Sequence, residues 1–309
     1  MGVFVFLPLI LPLTALPIAR LAEQHLHPRS AALLLTSVSV VLATCSTFCL
    51  GLLMVVGTAQ LPGNPLPDSW SDPEVRDAVP YDEVAGKAAI AALAAVVVAC
   101  ALTVRRHTRF RARAHSALAG LPPSEVATLE DELPYAYALP GSPGRIVVST
   151  GMLSCLDEGE RRALLAHERA HLAGHHHRLL LAVRLAGCAN PFLRPIRAAV
   201  TYSTERWADE EAARATGDRR TTARAVGKAA LFSHRVPAPG LAAFAAAGPV
   251  PRRVAALLGP VPPRRSWPPA LTRAGMAAYV AAAGTAASTA SALNAASALF
   301  LVLEAATPL

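Results

Sequence analysis

The sequence predicts a mostly α-helical membrane protein, with four spanning helices and a soluble α+β domain placed between the third and the fourth. Three observations lead there. The chain has 309 residues, 53% of them hydrophobic and only 16% charged, whereas a soluble domain of average composition carries about 25% charged residues. Four apolar stretches stand out, and one long region of soluble composition separates the last two. Of the 29 Lys and Arg, 25 lie between Arg105 and Arg273, so the basic charge is concentrated on that region.

The first stretch, 3–19, is uncharged but carries Pro8, Pro12 and Pro17. A cleaved signal peptide needs positive charge ahead of its apolar core. None precedes this one and Arg20 follows it, so it reads as an uncleaved first span. The second, 31–60, has no ionisable side chain except Cys45 and Cys49 and is long enough to cross a bilayer with tilt. The third, 88–104, is bounded by Lys87 and Arg105. The fourth, 274–303, is rich in alanine, which contributes little transfer energy. The expected organisation is a three-span membrane region (1–104), a basic juxtamembrane segment (105–120), a soluble domain (121–263) and the fourth span.

Charge sets the expected orientation, because Lys and Arg are retained on the cytoplasmic side. The turn from Arg20 to Arg29 is basic. The 61–86 loop holds Asp68, Asp72, Glu74, Asp77, Asp82 and Glu83 against Arg76 alone. Arg105, Arg106, Arg109, Arg111 and Arg113 follow the third span directly. The reading is a multi-pass protein of the cell membrane with a cytoplasmic central domain and both termini outside. Topology and contact with lipid headgroups account for the arginine run. No basic groove interleaved with aromatics points to nucleic acid. Five cysteines at spacings unlike a zinc ribbon read as small buried hydrophobes in a reducing compartment.

Within the central domain, Tyr135–Leu139 and Arg145–Ser149 read as strands of a hairpin joined by the Pro- and Gly-rich segment 140–144. Asp157, with Glu160 three residues on, reads as the capped start of a helix that reaches His171 or beyond. The apolar stretch 179–200 is interrupted by Arg184, Asn190, Pro191, Arg194 and Arg197. It reads as a helix–turn–helix resting on the membrane rather than a further span. A last helix is expected over 201–215, ending at Gly217.

The chemistry is carried by His167-Glu168-Arg169-Ala170-His171. Histidines four apart on a helix share a face and can bind one ion. Neutral imidazoles suit zinc, one Zn2+ per chain, and tetrahedral geometry leaves room for water. Glu168, beside the first ligand, is placed to act as general base. Two candidates exist for the third ligand. Gly174 and His177 continue the motif in the metzincin pattern. That pattern also needs a downstream methionine turn, and Met1, Met54, Met152 and Met276 offer none at a suitable position. The preferred candidate is Glu205, with Asp209 one turn on, where Asp209 can orient a ligand histidine. The run from His175 to His177 then reads as an exposed basic turn.

The segment RIVVSTGML at 145–153, the zinc helix, Asn190-Pro191 and ERWAD at 205–209 together resemble the membrane gluzincins of the BlaR/MecR type. The chain is more distantly similar to the HtpX and CAAX-protease group. The resemblance implies four transmembrane helices with a cytoplasmic α+β gluzincin-type metallopeptidase domain between spans three and four. It implies His167, His171 and Glu205 as zinc ligands and Glu168 as the catalytic residue. It also implies that Ile146, Val147, Val148 and Ser149 form an edge strand to which an extended substrate peptide adds. A short match at Pro251-Arg252-Arg253-Val254 resembles the end of such a catalytic domain. Antibiotic-sensing members carry an extracellular penicillin-binding domain after the fourth span, and the sequence predicts a member without it. The expected partners are a protein or peptide substrate, including a repressor-type target, and the lipid bilayer.

Overall fold

The computed structural model describes residues 2–73, 75, 82–233, 249–262, 269 and 271–307. After helical turns at 2–5, 7–10 and 11–14 come α1 (Ala15–His25), α2 (Pro28–Ala59) and α3 (Asp82–Ala117). A small sheet follows, made of β1 (Val126–Leu129), β2 (Ala136–Leu139) and β3 (Arg145–Ser149). The rest is helical: α4 (Thr150–Ser154), α5 (Glu158–Ala173), α6 (His176–Ala189), α7 (Arg194–Thr216), α8 (Arg219–Ser233), α9 (Val250–Leu258) and α10 (Arg273–Ala305). Glu74 and Asp77 of the acidic loop, and residues 263–268 of the proline-rich connection, lie outside the described residues.

Among the described residues, three helices are long and apolar enough to cross a membrane: α2, α3 and α10. At 1.5 Å per residue they run about 48–54 Å, well beyond a hydrocarbon core of about 30 Å. The segment 105–120 is therefore not a separate element over most of its length, because α3 carries the apolar stretch and the arginine run in one helix to Ala117. Alanine and arginine are strong helix formers and no proline interrupts them. α2 and α3 touch backbone to backbone, since a Cβ on Gly57 would lie 2.2 Å from the carbonyl carbon of Gly86.

The expected first spanning helix, 3–19, is not a single helix. It is a series of short turns leading into α1, not one continuous helix. Proline lacks an N–H and its ring crowds the carbonyl four residues back, so Pro8, Pro12 and Pro17 break the run. The freed carbonyls find other donors. Ser46 Oγ donates to the Pro8 carbonyl at 2.7 Å, and Asn190 Nδ2 donates to Leu9 at 3.2 Å. Asn190 also donates to Ser46 Oγ at 3.0 Å. These bonds pin the turn between α6 and α7 against the middle of α2, roughly 27 Å of helix rise beyond Pro28. The apolar packing agrees, because Val183, Ala186, Leu193, Ile196 and Val200 share one buried cluster with Ile18, Leu35, Val38 and Leu42. The α6–α7 hairpin thus ties the region read as a soluble domain into the long helices.

The expected hairpin is present as β2 and β3, antiparallel, with Tyr137 opposite Val147. β1 pairs parallel to the other side of β3, giving the order β1-β3-β2. This overturns the expectation that Ile146, Val147, Val148 and Ser149 form a free edge. All four are fully buried, and an unbroken apolar run marks a strand covered on both faces. The free edge next to α5 belongs to β2. Ser149 N–H donates to the Tyr135 carbonyl. Antiparallel pairs alternate, so Tyr137 and Leu139 bond to β3, while Ala136 and Ala138 turn their backbone groups outward.

Candidate metal centre

α5 begins at a capping box in which Asp157 accepts from the Glu160 N–H and Glu160 accepts from the Asp157 N–H. That cap fixes the phase of a helix whose buried side carries Ala163, Leu164, His167 and Glu168. α7 crosses it. Every residue of α7 from Ala199 to Glu210 is buried, including Glu205 and Asp209. A helix buried all round shows little amphipathic pattern, and its polar residues must find partners inside.

The crossing brings His167, His171 and Glu205 together, with one ligand atom from each within 4.8 Å of the others. The two Nε2 atoms are 3.0 Å apart. Glu205 Oε2 lies 3.5 Å from His167 Nε2, and Oε1 lies 3.4 Å from His171 Nε2. Two ligands on a tetrahedral zinc with bonds of 2.0–2.1 Å would be about 3.3 Å apart, so the residues fit a zinc ion. Among the described residues Glu205 Oε1 is buried without a hydrogen-bond partner, an orphaned acceptor beside His171. His177 is outside this cluster. It lines the cleft beside it, half-buried, with Tyr137, Ala138, Leu181 and Glu168.

Charge is arranged unevenly around the cluster. His167 Nδ1 lies 3.1 Å from Asp209 Oδ1, off the axis of a full hydrogen bond. Arg253 from α9 grips Asp209 with Nε at 2.8 Å and Nη2 at 2.7 Å, and reaches Glu205 Oε2 with Nη1 at 2.8 Å. Burial pulls His167 down, but the nearby carboxylates of Asp209 and Glu205 outweigh it and hold it at about 10 without metal. Burial would raise Glu205, yet Arg253 and the two histidines bring it to about 2. Burial lowers His171 to about 4, leaving a neutral imidazole. Burial pushes Glu168 up to about 7, and the backbone of Ala138 on β2 holds its carboxylate by a hydrogen bond. A carboxylate poised near neutrality beside two ligands has the properties of a general base.

Two residues of the site were not assigned by sequence reasoning. Arg253 lay in the short match at 251–254, but its contacts with Asp209 cross 44 positions of chain. His176 is the sharper miss. The run 175–177 is not an exposed turn throughout, because His176 is 1% exposed and its Nδ1 lies 2.8 Å from Nδ1 of His171.

The family model for Peptidase family M48 matches residues 101–189. That stretch contains the sheet, α5 and α6, and it ends before Glu205. Among curated proteins, the chain is 41% identical over 56 residues to the Protease HtpX homolog of Acidiphilium cryptum (strain JF-5). The match covers 18% of this chain and 20% of that protein, so the chain spans about a fifth of the relative's length. No solved structure matches. These matches make the chain similar to M48 peptidases over the sheet, α5 and α6, and three of its helices are long and apolar enough to cross a membrane. The matched relative belongs to the group that the sequence resembles more distantly.

Proposed function

We propose that the protein is a zinc-dependent membrane endopeptidase that hydrolyses peptide bonds of a cytoplasmic or membrane-proximal protein. The observation that carries this reading is the convergence of His167, His171 and Glu205 with Glu168 beside them in one buried cluster. Bound to these three residues, zinc would supply a Lewis acid for the scissile carbonyl and make water a nucleophile at neutral pH. Glu168 would accept a proton from the attacking water and return it to the leaving amine. Arg253 holds Glu205 Oε2 and Asp209 in place, and Glu205 Oε1 stays directed at His171. The outward backbone groups of Ala136 and the carbonyl of Ala138 offer an extended substrate a strand to join, with Tyr137, Leu181 and His177 lining the cleft alongside.

The biological setting proposed is regulatory proteolysis of a repressor-type target, or alternatively quality control of membrane proteins, with the catalytic domain on the cytoplasmic face and both termini outside. The acidic 61–86 loop and the arginine run on α3 support that sidedness. Glu168→Gln tests the chemistry. The variant should keep one zinc per chain and lose activity by about 10²–10⁴. Cleavage at the wild-type rate would remove Glu168 from the mechanism. Comparing the proteomes of cells carrying wild type and Glu168→Gln then identifies the substrate.

A further inference from the structure

His171 and His176 face each other through Nδ1 atoms 2.8 Å apart, with ring centroids at 4.7 Å. That distance allows one proton between them, so one nitrogen donates and the other accepts. His171 Nε2 faces the ligand cluster, 3.0 Å from His167 Nε2 and 3.4 Å from Glu205 Oε1. To offer a lone pair there, His171 must carry its proton on Nδ1. His176 Nδ1 must then be the acceptor, with its own proton on Nε2. That Nε2 is buried and without a hydrogen-bond partner among the described residues, a state that persists only where surrounding structure enforces it.

Three local features enforce it. His175 has φ +49°, a left-handed backbone rare for a residue with a side chain, and α6 starts directly after it. This turn carries His176 inward. Gly174 leaves room for the ring, because a Cβ there would lie 2.4 Å from His176 Nε2. Trp207, two residues past Glu205, backs the same ring with centroids 4.5 Å apart. The glycine that suggested a metzincin turn is thus the seat of a different histidine.

We propose that His176 is a positioning residue. It accepts the Nδ1 proton of His171 and thereby fixes the tautomer and ring orientation that present His171 Nε2 as a ligand. This rests on the zinc reading above. The two ligand histidines are then oriented by different chemistry, His167 by a carboxylate backed by arginine and His171 by a neutral imidazole.

The test is zinc affinity of the full-length protein in detergent, measured by competition with a chromophoric chelator. If the wild type takes up no zinc, the zinc reading itself fails. Given a wild type that binds, His176→Phe keeps a ring but removes the acceptor, and should bind zinc 10–100-fold more weakly. His176→Asn places its amide oxygen where Nδ1 was and should restore affinity to within a few-fold. His176→Phe binding as tightly as wild type overturns the proposal. So does His176→Asn binding as weakly as His176→Phe, because the role is then packing. Should His176→Phe not fold, magnetic resonance of isotope-labelled histidine in zinc-loaded wild type decides. The proposal requires the proton on Nδ1 of His171 and on Nε2 of His176, and the reverse assignment overturns it.

Discussion

α5 supplies His167, Glu168 and His171 from five consecutive positions of one capped helix, whereas the facing wall is assembled from Glu205 and Asp209 on α7 and Arg253 on α9. The first wall is held by local forces. A capping box fixes its start and helical periodicity fixes which side chains share a face. The second is held by long-range burial and charge. Its two carboxylates are almost fully buried, and a guanidinium is their common partner. A buried charge set is stable only while every member is present. The motif helix therefore tolerates separation of its residues' roles, while the facing wall acts as a unit.

That difference is sharpest at Glu205. Glu205→Ala removes the one ligand that does not come from α5. Two histidines alone leave too few protein ligands for a catalytic zinc site, so bound zinc should fall from one per chain to near zero by metal analysis after dialysis. Full zinc retention would mean that the facing wall supplies no ligand. Arg253→Met probes the wall as a unit. Breaking a buried pair by removing one partner costs about 3–5 kcal/mol. The variant should unfold much earlier than wild type in chelator, and added zinc should narrow the gap, because its charge replaces the guanidinium's attraction for Glu205. Equal unfolding of the two proteins in chelator would show that Asp209 and Glu205 need no arginine.

The same contrast explains what could be read from the sequence. The motif helix, its cap and the β2–β3 hairpin are written in neighbouring residues: Asp157 with Glu160, His167 with His171, and the Pro- and Gly-rich link 140–144. Features that depend on distant partners were not legible. β1 is four residues long and pairs with β3 across about twenty positions, so nothing local marks β3 as central. The prolines of 3–19 are visible, but not the side chains of Ser46 and Asn190 that let the broken turns stay buried. Arg253 could have been suspected only from the need of two buried carboxylates for a counter-charge. His176 is local, yet its inward turn depends on a left-handed residue, a backbone state that the sequence HHH does not announce.

The smallest expected effect is at His177, which the local pattern offered as a third ligand in competition with Glu205. The residue sits in the cleft rather than in the ligand cluster. Burial holds it down at about 4, with Arg111 and Arg178 adding to the effect. A neutral, half-buried imidazole on the cleft wall can touch a bound peptide without touching the metal. His177→Ala should therefore leave zinc affinity within about twofold of wild type, since a residue outside the coordination and hydrogen-bonding shells has no route to the larger losses seen for orienting partners. Its effect should appear instead in KM for a peptide substrate, a loss of uniform binding with kcat nearly kept. Measuring metal content of His177→Ala beside Glu205→Ala in one preparation separates the two walls directly. Zinc lost from the histidine variant and kept by the glutamate variant would move the third ligand back onto the stretch that follows α5.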